Sequence, residues 1–179
     1  ALISIDADYT FNNGAEAGLE TFFKSGSDAP VYADGKVILP SNTYLMGTNL
    51  FSLPATNFGI EIIVAQLSNS SDSRWILDTR PGYQVFLNGN FAWSALDDAF
   101  GFGSWASAFG ISTGTEYRLA IVVTNGTASF FRDGVNLGNR SNVVGLPMLS
   151  MTNLMIGAAN RPELTGSATA PPSISVNEV

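Results

Sequence analysis

Residues 116 to 138 read Glu-Tyr-Arg-Leu-Ala-Ile-Val-Val-Thr-Asn-Gly-Thr-Ala-Ser-Phe-Phe-Arg-Asp-Gly-Val-Asn-Leu-Gly. Leu119, Ile121 and Val123 alternate with Ala120 and Val122, the period of two that a strand requires. The apolar run halts at Asn125-Gly126 and resumes at Ala128, Phe130 and Phe131. It halts again at Asp133-Gly134 and resumes at Val135 and Leu137. A two-residue turn that matches the twist of its flanking strands needs positive φ at both central residues, and Asn-Gly and Asp-Gly tolerate this. The stretch therefore predicts three antiparallel strands joined by two tight turns.

The same grammar extends in both directions. Leu2, Ile3 and Ile5 with Ser4, Asp6 and Asp8 predict a first strand, and Leu19 to Lys24 fits either a short helical turn or a strand. Asp34-Gly35 predicts a hairpin between Val31-Tyr32-Ala33 and Lys36 to Leu39, ended by Pro40. Residues 41 to 57 read as loop with brief extended pieces. Phe58 to Leu67 predicts a strong strand with Ile60, Ile62 and Val64 on one face, and Arg74 to Thr79 predicts the next. Tyr83 to Ala95 predicts a hairpin turning at Asn88-Gly89, while Asn153 to Gly157 and Ile174 to Val179 supply the last strands. Many short strands at close spacing, with no heptad and no long amphipathic helix, predict an all-β, two-sheet antiparallel β-sandwich, a jelly roll. The first and last strands are expected to pair within one sheet.

The chain has 179 residues, which fits a single domain over 1–179. A domain of this size buries roughly 70% of its unfolded surface and needs no staples. Eight basic residues against fifteen acidic ones leave a net charge of −7, and the cations are scattered singly. Binding a phosphate backbone needs clustered cations, so nucleic acid is not expected as a partner. The sequence contains no cysteine and no histidine. Disulfides, thiol nucleophiles, Cys- or His-built zinc sites and a Ser-His-Asp triad are thereby excluded. A metal would be held by oxygen ligands, which favours calcium or magnesium. No apolar run reaches the ~18 residues that a membrane-spanning helix needs. The chain opens on Ala1 and runs straight into a strand, without a signal peptide. That start fits removal of an initiator Met, cleavage of a signal, or trimming of a longer chain.

With the elements placed, an ordered set of short motifs resembles the laminin-G-like branch of the concanavalin-A-like jelly rolls. Phe58-Gly59-Ile60-Glu61-Ile62-Ile63-Val64 resembles the family's phenylalanine-led strand, and Tyr117-Arg118-Leu119-Ala120 its Trp-x-His-Val-Ala segment. Phe130-Phe131-Arg132-Asp133-Gly134 is similar to its Leu-Tyr-Val-Asp-Gly turn, and Leu154-Met155-Ile156-Gly157 to its Leu-x-Ile-Gly strand. Val176-Asn177-Glu178-Val179 resembles the closing Ile-Asp-Glu-Val, with Asn177 in place of the Asp. The family's Trp and His are absent around Tyr117, and the first 57 residues match only loosely. The resemblance implies the fold. It counts against hydrolysis, because the Glu-x-Asp-x-Glu strand of glycosidases on this fold has no counterpart here.

Two clusters stand out as candidate sites. Asp6 and Asp8 share one strand face, and with Asn177 or Glu178 alongside they would form an oxygen-rich pocket for calcium, as some members of this fold have near their chain ends. A solvated strand face gives the same pattern. Asp97 and Asp98, with Trp105 and with Asn88, Asn90 and Trp93 from the preceding hairpin, place acceptors beside flat rings. Carboxylates and amides bond sugar hydroxyls while a ring covers the apolar face of a pyranose. Aromatics that fill a sandwich core give that pattern too, and Trp75 is expected to be structural. Glu61 faces opposite to Ile60 and Ile62, and no partner carboxylate at the ~5–10 Å that glycoside hydrolysis needs is identifiable from spacing. Asn69-Ser70-Ser71, Asn125-Gly126-Thr127 and Asn139-Arg140-Ser141 match the glycosylation acceptor pattern, which chance also explains in a chain rich in Asn and Ser.

The expected function is a non-catalytic surface binding or adhesion module that recognises carbohydrate, displayed extracellularly on a bacterial cell surface or on a phage virion. The partner is then a glycan or a protein surface, without membrane insertion, and an oligomer is compatible with this. The alternative is a stand-alone structural virion protein, a capsid decoration or fibre subunit docked on a protein lattice. A chain that starts and stops in a strand, without linker, fits that second expectation. A polysaccharide hydrolase or lyase ranks third.

Overall fold

The structure is a computed structural model that describes residues 9–11, 14, 18–23, 28–40, 43–47, 57–67, 75–78, 84–88, 93–96, 112–141, 154–157 and 174–179. In chain order the strands are β1 (Glu20–Phe23), β2 (Val31–Ala33), β3 (Lys36–Leu39), β4 (Thr43–Gly47), β5 (Asn57–Gln66), β6 (Trp75–Asp78) and β7 (Gln84–Asn88). They continue with β8 (Trp93–Leu96), β9 (Glu116–Thr124), β10 (Thr127–Arg132), β11 (Val135–Ser141), β12 (Leu154–Ile156) and β13 (Ile174–Glu178). A six-stranded sheet runs β1-β4-β12-β6-β7-β8, and a seven-stranded sheet runs β11-β10-β9-β5-β13-β3-β2. Every pairing is antiparallel. Among the described residues the chain is all-β, and it has no helix long and apolar enough to cross a membrane.

The meander forms as its residues dictate. Asn125 and Gly126 have φ of 47° and 75°, and Asp133 and Gly134 have 51° and 79°. Thr124 pairs with Thr127 and Arg132 with Val135, so both turns contain two residues. Asp34-Gly35 does the same, with φ of 53° and 72°. Leu119, Ile121 and Val123 are fully buried, whereas Val122, on the other face, is 39% exposed. Val135 is 63% exposed, so the third strand of the meander contributes little to the core.

The core lies between the sheets. Val37, Leu39, Ile62, Val64, Ile121, Phe130 and Val176 from the seven-stranded sheet pack in one cluster with Leu45, Ile76, Leu77, Leu154 and Ile156 from the six-stranded one. Each fully buried Leu, Ile or Phe contributes about 1.5–3 kcal/mol relative to an exposed one. β13, the last strand, sits between β5 and β3. Tyr9 and Val179 exchange both backbone hydrogen bonds at 3.1 Å, which makes them an antiparallel pair that extends the end of β13. The expected strand at residues 2–8 lies outside the described residues.

Three local expectations change. Residues 20–23 are strand, which resolves the ambiguity of Leu19 to Lys24. Thr43–Gly47, within a stretch read as loop with brief extended pieces, is an interior strand with Thr43, Leu45 and Gly47 buried. The hairpin of β7 and β8 does not turn at Asn88-Gly89: Leu87 pairs with Trp93, and Asn88 is still strand, paired with Trp75.

Candidate functional site

The hairpin of β7 and β8 holds two of the six residues expected at a sugar site. Asn88 ends β7 and Trp93 begins β8, the edge strand of the six-stranded sheet. Trp93 is paired with Leu87, and Leu87 with Leu77, which is fully buried. Paired positions of antiparallel strands share a face, so Trp93 occupies a position of the row that contains Leu77. Asn88, one residue from Leu87, takes the alternate position. The backbone thus makes the two neighbours in space and sets them at positions of opposite faces. Asn90, Asp97, Asp98 and Trp105 lie outside the described residues, as do Asp6 and Asp8 of the calcium set. Asn177 is the extra residue of a bulge in β13, since Val176 pairs with Val64 and Glu178 with Ile63. Trp75 begins β6.

The outward face of the seven-stranded sheet is described over four adjacent strands, β5, β9, β10 and β11. One row across it contains Gly59, Val122, Ser129 and Asn139. The next contains Glu61, Ala120, Phe131 and Asn136, and on the other side lie Asn57, Thr124 and Thr127. Gly59, Val122, Asn136 and Asn139 are exposed, while Ala120, Ser129 and Phe131 are half-buried. Three strand spacings of about 4.8 Å make this face about 14 Å wide. The Asn136 amide donates to Asn139 Oδ1 at 3.1 Å, and Asn136 Oδ1 accepts from the Gly138 N–H at 2.8 Å. These bonds hold the two amides side by side along the β11 edge.

Two ion pairs stand on the same face. Arg118 donates to Glu61 Oε1 at 2.7 Å, and Lys36 donates to Glu116 Oε2 at 2.6 Å. Glu61, the carboxylate singled out on β5, is exposed as its alternation predicts and stands against a guanidinium. At the end of the meander, Asp133 Oδ1 accepts from the Arg118 N–H at 2.9 Å, and the Asp133 N–H donates to the Arg118 carbonyl at 2.8 Å. The Arg132 guanidinium lies 5.9 Å from the centre of the Tyr117 ring, whose hydroxyl accepts from the Ser112 N–H at 3.2 Å. Tyr117, Arg118, Arg132 and Asp133, four of the residues that carry the family resemblance, are therefore engaged in holding the hairpin. Gly59, Val122, Phe131 and Asn139 are not legible as a group in the sequence, because nothing local links them. The visible signal was a glycine inside an otherwise strong strand.

No family model matches the sequence, and no curated protein matches it. Solved structures do match the fold. Domain 4 of AbnA, a GH43 extracellular arabinanase from Geobacillus stearothermophilus, solved in complex with arabinotriose, has a TM-score of 0.66 at 15% identity. The match covers 97% of this chain and 90% of that one. The binding domain of botulinum neurotoxin serotype D matches with a TM-score of 0.65 at 10% identity, over 96% of this chain and 46% of that one. A native heptameric SAP-like pentraxin from Limulus polyphemus matches at 0.58 and 14% identity, over 79% and 72%. The chain spans about half the length of the toxin binding domain and nearly all of the arabinanase domain. At these identities the likeness is one of fold, a jelly-roll β-sandwich.

Proposed function

We propose that this chain is a non-catalytic surface binding or adhesion module of the laminin-G-like type that recognises carbohydrate and is displayed outside the cell, on a bacterial surface or a virion. The observation that carries the reading is the match over nearly the whole of both chains to a domain solved with a bound trisaccharide. Two features agree with it. The net charge of −7 and the scattered cations favour a neutral ligand over a polyanion. Glu61 is held by Arg118, an arrangement that neutralises its charge and is unlike the paired carboxylates of glycoside hydrolysis.

The hairpin of β7 and β8 is the first place to look for the contact. Trp93 and Trp105 would offer ring faces, and Asn88, Asn90, Asp97 and Asp98 hydrogen-bond partners for hydroxyls. A glycan array with the parent protein, Trp93→Ala and Trp105→Ala tests this. Saturable binding by the parent, reduced in Trp105→Ala, is expected. Trp93→Ala requires a parallel melting curve, because its row contains the buried Leu77. A parent protein that retains no glycan across a broad array sinks the carbohydrate reading.

A further inference from the structure

We propose that the outward face of β5, β9, β10 and β11, centred on Gly59 and Val122, seats a neutral oligosaccharide. This rests on the carbohydrate reading above and adds a second surface to it, on the seven-stranded sheet, whereas β7 and β8 belong to the six-stranded one.

Gly59 is the first argument. It lies inside the longest strand, where glycine costs about 0.5–1 kcal/mol relative to alanine. Among the described residues nothing requires it. Its φ is not left-handed, and an added Cβ would meet only the Ile121 carbonyl oxygen at 3.7 Å and Val122 Cγ2 at 3.8 Å, ordinary contacts. A glycine that neither backbone conformation nor packing demands, on an exposed strand face, marks a place where something approaches the backbone closely. What its missing side chain leaves open is the floor beside Val122, Ala120 and Phe131.

The surrounding chemistry selects the occupant. Glu61 and Arg118 neutralise one another, and the remaining polar groups among the described residues are hydroxyls and the amides of Asn57, Asn136 and Asn139, of which the last two are neutral donors and acceptors at fixed spacing. A protein partner fits poorly. A stable interface buries about 800 Å² per side around an apolar centre, and Val122 is the single large apolar residue well exposed on this face among the described residues. A sugar needs less: an apolar strip for the faces of its C–H groups, flanked by hydrogen-bonding groups. A width of about 14 Å accommodates a short oligosaccharide.

The test is an NMR titration of 15N-labelled protein with arabinotriose, cellotriose and mannotriose, using the parent, Gly59→Ala, Gly59→Arg and Phe131→Ala. Saturable shifts are expected at the amides of Gly59, Val122, Phe131 and Asn139. Gly59→Arg places a long side chain on the floor and should weaken binding by about tenfold or more, and Gly59→Ala, whose methyl group fills part of the close approach, by about threefold. Phe131→Ala should show the same loss as Gly59→Arg, so the question is decided even if the arginine variant fails to fold. Shifts confined to residues 84–96, with undiminished binding in both Gly59→Arg and Phe131→Ala, would overturn this surface while leaving the carbohydrate reading intact. A parent protein that binds none of the three sugars and nothing on a glycan array removes both.

Discussion

Gly157 follows β12 with φ of +88°, and its N–H donates to the Ile76 carbonyl at 2.7 Å. A Cβ at this position would lie 3.1 Å from Leu39 Cδ1 and 3.2 Å from the Thr43 carbonyl oxygen. The leucine could rotate away, but the carbonyl belongs to the first residue of β4 and cannot. Gly157→Ala therefore combines left-handed strain with a close backbone contact and should cost about 2 kcal/mol or more. A lower urea midpoint at unchanged slope would show it, and an unaltered midpoint would refute it. The contrast with Gly59 is instructive. There the same chemical change meets ordinary contacts at 3.7 and 3.8 Å, and the strand should tolerate it.

Within the hairpin of β10 and β11, Asp133 has two tasks. Its φ of 51° is one that Asp tolerates better than most residues, and its carboxylate accepts the Arg118 N–H at 2.9 Å, pinning the turn to the neighbouring strand β9. Asp133→Ala should lose about 2 kcal/mol, roughly half from the hydrogen bond and half from left-handed strain. Asp133→Asn keeps both an acceptor and the tolerance for positive φ, so it should lose much less. Equal melting temperatures for the two variants would show that the side chain does not hold the turn. This is also why an Asp-Gly turn identifies a scaffold more readily than a ligand site. The exposed pair of Glu61 and Arg118 on the same sheet is worth at most about 1 kcal/mol and shapes the charge of the face more than its stability.

Across the whole molecule, the seven-stranded sheet depends on its last strand. β13 lies between β5 and β3, with Val176 paired on both sides, to Val64 and to Val37. Deleting residues 174–179 would separate β3 and β2 from β5, open the fully buried Val37, Leu39 and Val64 to water, and remove the pairing of Tyr9 with Val179. Domain stabilities of about 5–15 kcal/mol do not survive such a loss. The shortened chain should show no cooperative thermal transition by circular dichroism, and a cooperative melt near the parent's would contradict the assigned strand order. Removing an edge segment of similar length would leave both faces of the sandwich closed.

Much of this architecture was legible before any coordinates, and for a definite reason. Positive φ at Asn125-Gly126, Asp133-Gly134 and Asp34-Gly35 is a property of two adjacent residues, and the alternation of Leu119, Ile121 and Val123 is a property of one strand. Local chemistry determines both. Thr43–Gly47 escaped notice because Tyr44, Leu45 and Met46 are all apolar and show no alternation, so that only burial between β1 and β12 defines the strand. Asn88 was legible as a polar residue beside a glycine, yet the pairing of Leu87 with Trp93 decides that it is strand. Nor does apolar burial name its partner: it is non-directional, and nothing in residues 57–66 specifies β9 on one side and β13 on the other. The outward face shows this most plainly. Gly59, Val122, Phe131 and Asn139 are far apart along the chain, and they meet because antiparallel register, set by the buried side of each strand, carries the opposite side with it.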